Sequence, residues 1–394
     1  MASLALPPAQ RLATSAVVLI ATVLFARSLG SIPEGGRELA LSALLGLAFG
    51  VFLQRSRFCF FCVSRDFMEN RDARGLLGIV AALALGILGY HVLFDAFLPI
   101  PAPGRMPPEA HVGPLSWVLA AGAFVFGIGM SLSGSCISAH LYRLGEGAIA
   151  SLFALLGALL GFVLGFASWN TLYLAGIQEA PVVWLPHHLG YAGSVLVQLL
   201  ALGGIALLLW RHHRATEIPD AADAAGAQSF WERRWPTYVG GLLIAFVAVL
   251  SYLRVGPLGV TAELGSIART GANAMAWLPS RLEGLDTFSG CATVIKETLW
   301  SNNGVFILSL VLGSLAAALL AGDFKPRRPS LPEVGRALAG GVLMGWGAMV
   351  ALGCTIGTLL SGIMAGAASG WVFAVFVGLG LWLGWKARQR LGWM

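Results

Sequence analysis

Five cysteines are the residues of this chain whose chemistry and placement stand out: Cys59, Cys62, Cys136, Cys291 and Cys354. Their number is odd and most of them fall inside apolar stretches, which argues against a disulfide scaffold. A buried thiol is small, with a weak S–H donor and a weak sulfur acceptor. It suits a soft sulfur-containing anion better than a hydrated inorganic ion, and it would hold that anion lightly enough to release it. All five cysteines are therefore candidate substrate-binding residues.

The spacing of Cys59 and Cys62 also allows a different interpretation. Together they form C-x-x-C, the spacing of a redox or zinc pair. No second C-x-x-C or nearby histidine pair completes a zinc site, and a zinc site would leave Cys136 and Cys354 unexplained. The sequence has no cofactor fingerprint and no nucleophile–base pair. We predict no metal, no cofactor and no enzyme activity, with a membrane-bound redox or sulfurtransferase relay as an alternative.

The composition places these thiols in a membrane protein. Hydrophobic residues make up 57% of the 394 positions and charged residues 11%, against about 25% charged in an ordinary soluble domain. The apolar residues come in blocks of the roughly 20 residues that a helix needs to cross a bilayer. The net charge of +6 resides in basic loops between these blocks, which indicates membrane topology and not nucleic-acid binding. We predict an all-α integral membrane protein embedded in the lipid bilayer.

The apolar blocks predict about ten transmembrane helices. They lie near residues 12–30, 37–54, 74–98, 113–133, 147–170, 189–210, 237–254, 303–322, 336–352 and 369–386. The first block is longer than the roughly 7–15 apolar residues of a signal peptide, so we interpret it as a retained span. When every basic loop is placed in the cytoplasm, both termini also lie there.

Two segments align at their cysteines, and they predict an internal repeat. The first runs from Gly127 to Cys136 and the second from Gly345 to Cys354, with the same Gly-x-Gly spacing ahead of the cysteine. In the predicted topology the chain travels inward to Cys136 and outward to Cys354, so the halves are inverted, a recurring transporter design. The predicted units are an N-terminal span (1–36), a first repeat (37–210), a cytoplasmic linker (211–236) and a second, inverted repeat (237–394).

Each half also holds a segment that is too short to cross a membrane. These segments are residues 55–66 and residues 254–263. They suggest re-entrant half-helices, which are tolerated at membrane depth only where protein or a water-filled cavity surrounds them. With the two cysteine segments, each half has two re-entrant elements. We expect two vestibules that meet at a shared constriction.

Three of these motifs resemble the YeeE/YedE sulfur-transport family: Arg55-Ser-Arg-Phe-Cys59, Gly-Ser-Cys136 and Leu-Gly-Cys354-Thr-Ile-Gly357. The resemblance implies a multi-pass protein of the bacterial inner membrane that imports thiosulfate through an hourglass-like bundle. It implies Cys354 as the outer relay point, Cys136 as the central one and Cys59 as the cytoplasmic exit. It also makes a cytoplasmic sulfurtransferase plausible as a partner that receives the anion.

The chain departs from the plainest pattern of that family in two ways. Ser135 stands where Gly-Gly-Cys is often seen, and Cys62 and Cys291 are additional thiols. These departures leave open a sulfide or selenium-compound transporter, and a channel for another small solute would need no thiols. Other charged residues carry weaker signals: His91 and Asp95 fit a structural pair better than a proton site. Three arginines beside the predicted re-entrant segments could attract an anion: Arg65, Arg143 and Arg269.

Overall fold

The computed structural model describes residues 7–102, 104–214, 230–279, 281–285, 288, 293–296, 298 and 300–393. Cys291 lies outside the described residues, as do residues 215–229 of the predicted linker. The predictions made for those positions therefore stay predictions.

Helices form nearly all of the regular structure in the described part of the chain. They are α1 (Pro8–Leu29), α2 (Gly36–Ser56), α3 (Phe60–Asn70), α4 (Arg74–Phe97), α5 (Trp117–Ser133), α6 (Ile137–Gly145), α7 (Ala150–Leu172), α8 (Leu185–His212), α9 (Thr237–Arg254), α10 (Val260–Ala274), α11 (Asn302–Ala321), α12 (Leu331–Val350), α13 (Gly362–Met364) and α14 (Ala368–Arg390). Two π-helical segments, Tyr173–Ile177 and Thr355–Ser361, follow α7 and precede α13. All ten predicted spans are confirmed as helices.

The long helices have the length and composition that a bilayer demands. Across the described residues, nine helical stretches are long and apolar enough to cross a membrane, and α12 with its bent continuation makes a tenth. Each backbone group inside such a helix is satisfied within the segment, which is why helices are suited to lipid. The protein is an all-helical, multi-pass membrane protein.

Short helices stand at all four places where the sequence predicts re-entrant elements. In the first half these are α3, of 11 residues, and α6, of 9 residues. In the second half they are α10, of 15 residues, and the π-helical segment that continues as α13. The chain bends by 44° between α12 and this continuation. By contrast, α2 with α3 and α5 with α6 each form one helical stretch long enough to cross a membrane, Gly36–Asn70 and Trp117–Gly145.

The long helices pack in pairs that correspond between the two halves. Helix α2 packs on α11 as α4 packs on α9, and α5 packs on α14 as α7 packs on α12. The four helices of the first half can be matched in order with four of the second half: α2 with α9, α4 with α11, α5 with α12 and α7 with α14. Under this matching the α2–α11 contact corresponds to the α4–α9 contact, and the α5–α14 contact to the α7–α12 contact. This is the packing expected of two halves related by a two-fold axis.

Glycines bring the backbones of α7 and α12 into close contact. The backbone carbonyls of Ala154 and Ala158 on α7 lie where Gly341 and Gly345 on α12 would carry a Cβ. Gly161 on α7 faces the carbonyl of Val342 in the same way. Small residues four apart allow such approach in lipid, where van der Waals contact drives helix association. The bundle is therefore tightly packed at this interface.

We expect Gly345→Ala to destabilise the bundle. The new Cβ would overlap the backbone carbonyl oxygen of Ala158, and a neighbouring helix backbone cannot yield as a flexible side chain can. Overpacking of this kind costs about 1–3 kcal/mol, which should lower the Tm of the purified protein in detergent. Gly378→Ala on α14 is the matched control, because nothing lies within 4 Å of its Cβ position. An unchanged Tm for Gly345→Ala would contradict the close approach of α7 and α12.

Candidate functional site

Three of the predicted cysteines each occupy the position immediately before a short helix. Cys59 is the N-cap residue of α3, Cys136 that of α6, and Cys354 that of the π-helical segment Thr355–Ser361. All three have extended backbones, and their exposed fractions are 1%, 2% and 1%. The N-terminus of a helix carries a partial positive charge. Each buried thiol therefore lies at an end of a helix that attracts anions.

The same backbone device produces all three breaks. Two residues before each cysteine stands a residue in the left-handed region: Arg57 (φ 48°), Gly134 (φ 85°) and Leu352 (φ 55°). A left-handed residue commonly ends a helix, because it turns the chain away from the helix axis. Glycine adopts this conformation freely, whereas arginine and leucine do so at a cost of order 1–3 kcal/mol. Sequence reasoning identified the cysteines but missed Arg57 and Leu352, since neither is a residue typical of such a turn.

The structure brings three thiols of the first half together. The thiol of Cys59 lies near the thiols of Cys136 and Cys62. Cys136 Sγ is also 3.4 Å from Ser138 Oγ. The guanidinium of Arg143, on α6, donates from Nη2 to Cys62 Sγ at 3.8 Å. Cys62 and Arg143 therefore belong to the same cluster as two of the predicted relay points.

Cys354 forms a separate site in the second half. Its Sγ accepts a hydrogen bond from the backbone N–H of Ile356 at 3.4 Å, and it lies beside Thr261 in the first turn of α10. The start of α10 therefore lies beside Cys354. In the same way, the start of α3, at Cys59, lies beside Cys136. Among the contacts of the described residues, none joins Cys354 directly to the other thiols. A continuous line of cysteines across the bundle stays a prediction.

Two cavities lie beside Cys354. One is bounded by Thr261 and Gly353 among others and the other by His111 and Thr358 among others, and each has room for about one water molecule. Leu352 lines both. The residues next to Cys354 in sequence therefore line small pockets on two sides.

A buried charge network holds the segment that leads to Cys59. Arg55 is fully buried and donates to Asp323 Oδ2 at 3.1 Å and to the carbonyls of Glu232 and Arg233 at 3.1 and 2.9 Å. Gln54 donates to Asp323 and to Glu146, each at 3.1 Å. Removing one partner of a buried ion pair is far more costly than removing a surface pair. The network joins the end of α2 to the ends of α6 and α11.

Burial affects the acidic member of this network that lies just beyond α6. It raises the pKa of the Glu146 carboxyl above its ordinary value, because desolvation outweighs the hydrogen bond from Gln54 and the nearby arginines. The sequence indicated Arg55 only as a motif residue and a basic loop residue. Its role as an anchor depends on partners that are distant in the chain.

The remaining charged candidates have ordinary structural partners. His91 is buried, with Nδ1 2.9 Å from the Ile87 carbonyl and Nε2 2.9 Å from Ser194 Oγ, so its ring nitrogens contact these groups and not Asp95, the predicted partner. Arg65 pairs with Asp66 at 2.9 Å. Arg269 donates to the carbonyl of Thr293. Of the three arginines that could attract an anion, Arg143 is the one that contacts a thiol.

A bundle of long apolar helices, broken by short helices that begin at buried thiols, defines a multi-pass membrane protein of the transporter class. Residues 55–383 match the family model described as sulphur transport, and the chain belongs to this family. The resemblance predicted from the three cysteine motifs is confirmed.

Characterised relatives cover nearly the whole chain. The chain is 28% identical over 357 residues to "Thiosulfate transporter TsuA" of Escherichia coli (strain K12), which covers 88% of the chain and 93% of the relative. It is 30% identical over 371 residues to the protein of the same name from Spirochaeta thermophila, covering 88% and 98%. A shorter match, 37% over 83 residues and 21% of each chain, is to "Probable transporter YedE" of Salmonella typhimurium. These relatives are named as transporters and not as enzymes, in agreement with the prediction for this chain.

Proposed function

We propose that this protein imports thiosulfate, or a related small sulfur-containing anion, along Cys354, Cys136 and Cys59 in that order. The observation that carries the proposal is that each of these buried thiols is the N-cap of a short helix. Membership in the sulphur transport family and two relatives named as thiosulfate transporters support the same substrate.

The chemistry of the three positions suits passage rather than capture. A neutral S–H group donates a weak hydrogen bond to the terminal sulfur of the anion, and the helix N-terminus adds a favourable potential. A full opposite charge at each point would hold the anion too tightly for conduction, which requires sites that are weak enough to leave. The proximity of Cys136 and Cys59 supports one step of the relay.

We propose that the halves 37–210 and 237–394 form an inverted repeat. The exchange of packing partners between α2, α4, α5, α7 and their counterparts supports this arrangement. The left-handed backbone conformation at Gly134 and Leu352, each two positions before its cysteine, supports it as well. In an inverted repeat the two cysteine breaks face each other near the midplane of the bilayer.

Cys136→Ala and Cys354→Ala are each expected to reduce thiosulfate uptake at least tenfold. Each variant loses the S–H donor at one relay point and leaves an apolar methyl group there, a loss of roughly 1.4 kcal/mol or more at the barrier. Uptake of ³⁵S-labelled thiosulfate into a sulfur-starved strain measures the effect, and growth on thiosulfate as sole sulfur source checks it.

Ser309→Ala is the matched control for these variants. It removes a buried hydroxyl on α11 that has no hydrogen-bond partner, so uptake should stay near the wild-type value. Parallel uptake of sulfide and selenite distinguishes the related substrates. If both cysteine variants transport thiosulfate at the wild-type rate, the relay is wrong and a channel that needs no thiols becomes the better account.

The protein is expected to lie in the bacterial inner membrane with both termini in the cytoplasm. The basic residues at the end of α14, Arg388 and Arg390, support a cytoplasmic C-terminus by the positive-inside rule. A green fluorescent protein fused to the C-terminus should fluoresce, and an alkaline phosphatase fused there should be inactive. Fusions truncated within residues 99–112 should give the reverse result. Active phosphatase at the C-terminus would overturn the topology.

A cytoplasmic sulfurtransferase is the proposed acceptor of the anion at the mouth near Cys59. Helix α3, which begins at Cys59, carries exposed charged side chains on Arg65 and Asp66, and these offer polar contacts for such a partner. Pull-down of the wild-type protein from native membranes should recover a sulfur-handling protein. The charge-reversed variant Arg65→Glu/Asp66→Lys, which disrupts the docking surface, should recover less of it. Recovery of no such protein would count against the docking proposal.

A further inference from the structure

The first turn of α3 places two thiols where they can react with each other. Cys59 is the N-cap of α3 and Cys62 is its third helical residue. A C-x-x-C segment at the start of a helix is the arrangement in which two cysteines interconvert between dithiol and disulfide. The two thiols are near neighbours in the cluster, which Arg143 completes by its contact with Cys62 Sγ at 3.8 Å. The geometry of this C-x-x-C segment is therefore that of a helix-start dithiol.

We propose that Cys59 and Cys62 form a reversible oxidation site that closes the inner end of the relay. The inference rests on the proposed function, because it assigns to Cys59 a role in passing the anion. Cys62 is the reactive thiol: it is partly exposed, and the guanidinium of Arg143 lies 3.8 Å from its sulfur. The thiolate is the nucleophile in disulfide exchange, and the guanidinium of Arg143 stabilises the negative charge when it forms on the Cys62 sulfur.

The co-reactant is a low-molecular-weight disulfide, RSSR. The thiolate of Cys62 attacks one sulfur of RSSR, which forms a Cys62–S–S–R bond and releases RS⁻. Cys59, only 1% exposed, then attacks the Cys62 sulfur, which forms the Cys59–Cys62 disulfide and releases the second RS⁻. The two protons of the original thiols pass to the two released thiolates. Two protein thiols are oxidised and one RSSR is reduced to two RSH.

Closure follows from the position of Cys59 in the cluster. In the reduced protein its thiol faces both Cys62 and Cys136. Once its sulfur is bonded to Cys62 it has no S–H to donate. An anion at Cys136 then finds no S–H group on the cytoplasmic side to which it can pass. A thiol reductant restores both S–H groups and reopens the path.

Peptide mapping of the purified full-length protein tests the site itself. Trypsin cleavage after Arg57 and Arg65 releases one peptide that contains both Cys59 and Cys62. After treatment with glutathione disulfide this peptide should be lighter by two hydrogen atoms and should resist alkylation. After dithiothreitol it should take up two alkyl groups. A peptide that stays fully alkylated, or a Cys59–Cys136 crosslink in its place, would overturn the proposal.

Uptake into reconstituted vesicles tests the closure. We expect wild-type uptake of thiosulfate to fall at least tenfold after glutathione disulfide and to recover with dithiothreitol. The ratio of reduced to oxidised uptake should approach one in Cys62→Ala and stay high in the control variant Ser309→Ala, which keeps all five thiols. Undiminished uptake by protein with the oxidised peptide would contradict the closure. A reduced wild type without uptake would instead contradict the proposed function, while the peptide map would still report on the dithiol.

Discussion

A helix can end at membrane depth only where other protein groups satisfy the backbone atoms that it leaves free. This constraint governs every part of the site. At the first cysteine break, the N–H of Gly134 bonds to the Met130 carbonyl at 2.9 Å and the N–H of His140 to the Cys136 carbonyl at 2.9 Å. At the second, Thr358 bonds to the Cys354 carbonyl at the same distance. The breaks are short enough for the helices on either side to take up most of their own backbone groups.

The breaks also require neighbours that exclude lipid, and the glycine contacts provide them. Helices α7 and α12 approach until backbone faces backbone, and α5, which ends at the Cys136 break, packs on both α12 and α14. The buried Arg55 network then anchors the remaining break, before Cys59, to α11 through Asp323. Charge is therefore concentrated at the ends of the helices, where it fixes the frame. The positions of the thiols are left neutral apart from the nearby Arg143.

Much of the fold could be predicted from the sequence, because spans in lipid follow from local composition. All ten helices appear where apolar blocks indicated them, and the match between the Cys136 and Cys354 segments is visible as a shared Gly-x-Gly spacing. The contacts of the site were harder to predict. Nothing near Cys62 in sequence indicates Arg143, which is 81 residues away. Arg57 and Leu352 give no sign of left-handed backbones, since tertiary packing imposes a conformation that their side chains disfavour.

The choice of cysteine at these N-caps has a physical reason of its own. Serine, threonine, aspartate and asparagine are the residues that normally cap a helix, because their oxygen atoms satisfy the free N–H groups strongly. A thiol is a weaker acceptor, and Cys354 is the one of the three whose side chain accepts a bond at its helix start, from the N–H of Ile356. A weakly capped helix start keeps much of its attraction for an arriving anion. An oxygen cap would satisfy those N–H groups in the empty protein, and the anion would then have to displace it. Cysteine thus combines a soft donor for sulfur with a helix end that is still available to negative charge.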